Sequence, residues 1–216
     1  ANGTGSVLID VNLGDLLVNS DIVSGTGHIT LKAAQGISLA AGVDVSTSTA
    51  GTVSLDAEGA DLTMDGGATL TATNSSARLN AAGTVTLGNV VATNVSVVAD
   101  SGAIVNAAGS TKNVTATNLR LQADDAIGAA ERHLSTSVAT LTALSTGTTT
   151  AGIYLSEDSA VTVDTVTVTV TEFSSTATTS TVNDADQSDL VAGNNGNIVL
   201  VAGGSVTLNG GVTEAS

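Results

Sequence analysis

The chain is built from short apolar-polar-apolar triplets. Ile29-Thr30-Leu31, Ile37-Ser38-Leu39, Val53-Ser54-Leu55, Leu62-Thr63-Met64, Val85-Thr86-Leu87, Leu119-Arg120-Leu121 and Val206-Thr207-Leu208 are examples. Side chains alternate faces along a strand, so each triplet turns two apolar residues one way and one residue, usually Thr or Ser, the other way. No period of 3.6 residues runs between the triplets, so the pattern predicts short strands. Clusters such as Asp65-Gly66-Gly67 and Gly193-Asn194-Asn195-Gly196-Asn197 separate them. Gly, Asn and Asp tolerate positive φ and bond locally, which makes these clusters turns.

A longer period sets the architecture. Ile29, Val53 and Ala77 are spaced by 24 and 24, and Ile37, Leu62 and Val85 by 25 and 23. Val95, Leu119 and Leu141 follow at 24 and 22. Three strands of about eight residues make a coil of about 24, and a repeat of that length signals a solenoid. The expectation is an all-β, parallel β-helix (β-solenoid) with three short strands per coil and about nine coils. An antiparallel β-sandwich also has short strands, but it predicts longer alternation and no fixed return. The tripeptide Ala-Thr-Asn recurs at 72–74, 92–94 and 116–118. Asn74, Asn94 and Asn118 are therefore expected to stack as an amide ladder.

The rhythm loosens from Glu131 to about Asp189. Within it, residues 161–171 alternate Val and Thr with a single Asp, too long a run for one face of the helix, and Ser180-Thr181-Val182 can pair back. A β-hairpin excursion is expected at 164–182, projecting from the rod with Phe173 near its tip. Such excursions carry recognition in some solenoids and are tolerated insertions in others. The rest of 1–216 reads as one solenoid segment.

Composition narrows the chemistry. The 216 residues include no Cys, no Pro and no Trp, with a net charge of −15. Disulfides, thiolate metal sites and Cys nucleophiles are excluded. Five Lys and Arg against 20 Asp and Glu argue against nucleic acid. No apolar run reaches the roughly 18 residues of a helical membrane span. Missing Pro suits uninterrupted ladders.

Candidate sites are few. Asp184, Asp186 and Asp189 lie in the run 183–189, dense in oxygen donors, which makes them the candidate Ca²⁺ ligands. The run lacks the Gly and terminal Glu of an EF-hand loop, so an ordinary acidic loop is the default and no cofactor is otherwise expected. A polysaccharide-cleaving site would need clustered acids with Lys or Arg. Arg78 and Arg120 are separated by a stretch that is not a whole number of coils, and Arg132 lies further on. Asp124-Asp125 and Glu157-Asp158 are adjacent pairs, expected to be solvated turn residues. His28 and His133 have no neighbouring partner in sequence, so no enzyme activity is expected.

The coil period, the Gly-Asn-Ile-Val-Leu and Gly-Ser-Val-Thr-Leu phrases and the run from Ile127-Gly128 through Leu134–Leu141 to Gly152-Ile153-Tyr154-Leu155 carry a resemblance. The chain resembles bacterial filamentous-haemagglutinin-type surface proteins over most of its length. That resemblance implies a right-handed β-helix, export to the cell surface, and a role as adhesin or stalk. Its partners would be neighbouring segments of one large protein and a receptor or glycan on another cell. The family has no catalytic motif to transfer, and its secretion region has no counterpart here, so the chain reads as an internal segment. The alternative is a filament subunit that assembles end to end.

Overall fold

The computed structural model describes residues 3–147 and 150–211. The described chain has no helix and forms a β-solenoid of about 7 turns with about 23 residues per turn. One of the turns missing from the expected nine is accounted for by an excursion between Val163 and Leu190 that takes up about a coil's worth of chain.

Three parallel ladders run along the rod. In the first, Val7, Ile29, Val53, Ala77, Val95, Leu119 and Leu141 stack in register. In the second, Leu16, Ile37, Leu62, Val85 and Ile104 stack, then Ile127 and Ile153 by single bridges. In the third, Ile22, Val45, Leu70, Val90, Val114 and Thr136 stack. Early coils hold three short strands each. Later ones fuse the third and first ladders into single long strands, Thr69–Ala81, Asn89–Ala99, Val114–Ala123 and Leu134–Ser145.

The inward residues of the triplets are the core. Ile29, Leu31, Leu55, Leu79, Leu119 and Leu141 are fully buried. Each buried Val, Leu or Ile contributes about 1.5–3 kcal/mol. Aromatic residues are not needed, because the interior is narrow and Val, Ile, Leu and Ala fill it. At the corners, stacking coils bring backbones together. A Cβ on Gly27 would meet the Gly5 carbonyl oxygen at 2.3 Å, so only glycine fits there.

The amide ladder forms with one substitution. Asn118 Nδ2 donates to Asn94 Oδ1 at 2.8 Å, and Asn94 Nδ2 donates to Ser76 Oγ at 3.3 Å. Ser76 takes the rung expected for Asn74, because the register slips between Ala92 and Asn94. Asn74 sits at the slip with φ +56°.

The excursion is an antiparallel hairpin of Val166–Phe173 and Thr179–Gln187. It interrupts a single strand of the first ladder. Leu141 pairs with Val163, whereas Ala143, next on the same face, pairs with Leu190. The whole stretch between Val163 and Leu190 is therefore inserted at one rung. The hairpin does not project. It lies along the rod with Val166, Val168 and Val170 only 1–3% exposed against the outer face of the first ladder. Three valines on one side of a strand are an apolar face, and burying it on the rod removes it from water.

Candidate functional site

The hairpin covers the outward column of the first ladder. Thr30, Ser54, Arg78, Ser96, Arg120 and Thr142 occupy six successive rungs of that column. Thr30, Ser54, Ser96 and Thr142 are at most 1% exposed although they point away from the core. This is the most structured surface of the molecule, and it brings together residues far apart in the chain.

The contacts run the length of the hairpin. Near its base, Gln187 Nε2 donates to the Leu121 carbonyl oxygen at 2.8 Å and to Thr142 Oγ1 at 3.2 Å. Arg120 Nε donates to the Ala185 carbonyl oxygen at 3.0 Å, and its Nη2 donates to Gln122 Oε1 at 2.7 Å. Arg78 Nε forms an ion pair with Asp184 Oδ1 at 3.0 Å. Toward the tip, Ser54 Oγ donates to Glu172 Oε1 at 2.7 Å. Thr52 Oγ1 donates to the Thr171 carbonyl oxygen at 2.5 Å and accepts from Thr171 N–H at 3.1 Å. Phe173 N–H donates to Thr30 Oγ1 at 2.9 Å.

Electrostatics follow from burial. Desolvation pulls the Arg120 pKa below its usual value; Asp184 opposes this and Arg78 adds to it. Burial also works against charged Lys32, but Glu58, Asp56 and Glu172 outweigh it and raise its pKa. Desolvation favours neutral His28 and holds its pKa below the ordinary value. Its Nδ1 accepts from Thr52 N–H at 3.2 Å, the same threonine that holds the hairpin. Three buried side-chain atoms have no hydrogen-bond partner among the described residues: Ser96 Oγ, Arg120 Nη1 and Gln187 Oε1. All three lie on the seam between hairpin and rod.

The sequence-based site expectations fare unevenly. Asp184, Asp186 and Asp189 do not converge. Residues 183–187 are strand and not an acidic loop; the pairing slips by a residue between Val166 and Val168, so Asp184 faces the rod while Asp186 is exposed, and Asp189 lies past the strand's end. Asp184 is committed to Arg78, Asp186 accepts from Thr167 Oγ1, and Asp189 Oδ2 accepts from Ser188 Oγ. No group of three or more His, Asp or Glu side chains suited to a metal occurs among the described residues. Phe173 ends the first hairpin strand and is half-buried, lining a recess of about 240 Å³ with Leu8, Asp10 and Lys32.

Two corrections concern charge. Arg78 and Arg120 are in one column, two rungs apart, because the coil from Ala77 to Val95 is short while the next, from Val95 to Leu119, is of full length. Glu157 is not solvated. It is 2% exposed. Its Oε2 accepts from Thr136 Oγ1 at 2.8 Å and Val138 N–H at 3.0 Å, and its Oε1 from Ser159 N–H at 3.0 Å and Oγ at 2.8 Å. Its neighbour Asp158 is exposed and pairs with Lys112. Asp124 and Asp125 accept from Thr146 and Thr150 on the next coil. Arg132 is exposed, and the His133 and Tyr154 rings lie 6.1 Å apart.

No protein-family model, no curated protein and no solved structure matches the chain. The fold is compatible with a β-helix repeat protein.

Proposed function

We propose that the chain is a rigid stalk segment of an exported bacterial surface protein of the filamentous-haemagglutinin kind. The observation that carries this reading is the apolar column that continues to half-open rungs at both ends. Val7, Ile9 and Val11 at one end are only partly buried, and Ile198, Val206 and Leu208 at the other are 46%, 44% and 72% exposed. An open parallel edge is a template for another coil. Stacked coils of the same protein fit it, and a parallel ladder continued across them makes the rod stiff and long. The net charge of −15 opposes sideways association between rods. The side faces would then serve as the adhesive surface toward a receptor or glycan.

The same open rungs favour one second reading, an extracellular filament assembled end to end. Electron microscopy of the purified chain over a concentration series separates the two. Short single rods at every concentration support the stalk. Filaments one protein thick with a regular axial repeat would replace it with the polymer.

A further inference from the structure

We propose that the hairpin is an exchangeable arm, and that the face beneath it is an interaction surface for the same arm of a second copy. Reciprocal exchange gives a two-fold dimer in which each hairpin lies on the other copy's column from Thr30 to Thr142.

The arm is hinged at one place. Its two ends leave and re-enter a single strand, with Val163 opposite Leu141 and Leu190 opposite Ala143. Only 165 and 188 need to turn, because Asp164 N–H donates to the Leu141 carbonyl oxygen at 3.3 Å and the Asp189 carbonyl oxygen accepts from Ala143 N–H at 3.0 Å, so both residues stay on the rod. The arm also carries its own backbone pairing, because its two strands pair antiparallel from Val166–Gln187 to Phe173–Thr179. Among the described residues, every hydrogen bond between 166–187 and the rod uses at least one side chain, and no backbone ladder joins them. Lifting it therefore breaks no sheet.

The closed seat is imperfect. Ser96 Oγ, Arg120 Nη1 and Gln187 Oε1 are buried without partners, and a buried orphan is penalised relative to a hydrated one. Opening the seam restores water to all three, which offsets part of the loss of the buried valines. The open seat is selective. It presents Arg78 and Arg120, two of only five cations in a chain of net charge −15. Its complement must carry a carboxylate opposite Arg78 and an apolar strand face beside it. The hairpin has both, in Asp184 and in Val166, Val168 and Val170. A second copy's hairpin restores every contact of the closed form.

The test uses charge exchange. R78D and D184R each set like charges at the seam, so neither variant can close its own arm. Mixed in equal amounts, they can pair only by exchange, because each arm then meets an opposite charge on the other copy. The expected result by size exclusion with light scattering is a single-chain mass for each variant alone and a doubled mass for the mixture. Two monomers in the mixture, both with the β circular dichroism of the parent, would overturn the proposal. Equal dimerisation of each variant alone would also overturn it, since that behaviour belongs to the open ends. If either variant loses its β signal, wild-type copies carrying donor and acceptor dyes decide. They are warmed together at high concentration and diluted. Energy transfer within a species of doubled mass supports exchange, and monomers throughout refute it.

Discussion

Replacing Asp184 with Asn removes the one carboxylate that serves two buried guanidinium groups. The Arg78 and Asp184 side chains are 12% and 10% exposed, so water does little to screen their charges. Arg120 lies two rungs away, about 10 Å at the parallel-strand spacing, and also draws on Asp184. D184N therefore leaves two buried cations facing each other, and breaking such a pair costs about 3–5 kcal/mol. R78M removes one cation and leaves Asp184 to Arg120, so its cost is smaller, about 1–3 kcal/mol, the penalty for a buried polar group left with a poorer partner. The difference appears first as release of the hairpin. Phe173 is the only Phe in the chain and sits near the hairpin's distal end. Chymotryptic cleavage after Phe173 thus reports the open fraction when reclosing is fast. With each step of about 1.4 kcal/mol worth a factor of ten, D184N raises that rate about a hundredfold or more, up to the rate of a fully open arm, and R78M raises it about tenfold. Equal rates for the two variants, or a faster R78M, would refute the shared-carboxylate argument.

Other perturbations have equally definite outcomes. Deleting 164–188 should leave the β circular dichroism of the solenoid intact, because the Asp189 carbonyl oxygen already accepts from Ala143 N–H at 3.0 Å and fills the rung. Loss of the β signal would show that the insertion holds the rod together. E157Q turns an amide donor toward groups that all donate, and it should lower stability by about 1.5–3 kcal/mol in urea titration. Wild-type stability should be complete above the unfolded His value of about 6.5 and fall as pH drops from there through the depressed folded value. The direction follows because the unfolded chain binds the proton more readily. H28Q should flatten that slope between about pH 7 and 5 in the urea midpoint, if the imidazole is its source. N118A should lose the amide bond to Asn94, about 1 kcal/mol, without change in the β signal.

The core was legible because it depends on alternation alone. Ile29, Val53 and Ala77 share a face and recur at a constant interval, and the physics of a narrow interior needs nothing more. Charge was less legible because it depends on exact register. One short coil, from Ala77 to Val95, was enough to hide that Arg78 and Arg120 share a column. The Asn ladder failed at Asn74 for the same reason, a local slip that no composition reveals. The Val-Thr alternation of 166–171 announced a strand with one apolar face, but not what that face would cover. A clue was present in the rod itself. Thr30, Ser54, Ser96 and Thr142 are small outward residues without charge, suited to lying beneath another layer. Residues 183–187 read as loop because of their acids, and only antiparallel pairing with 166–169 makes them strand.

Solenoid coils ordinarily touch only their neighbours, so such rods come apart rung by rung from the ends. Here one element contacts rungs from Thr30 to Thr142 at once. A tear starting at either end must detach this longitudinal splint before it can pass. The splinted stretch should therefore unfold as one cooperative block while the outer rungs fray, so that a repetitive rod behaves over most of its length like a single domain.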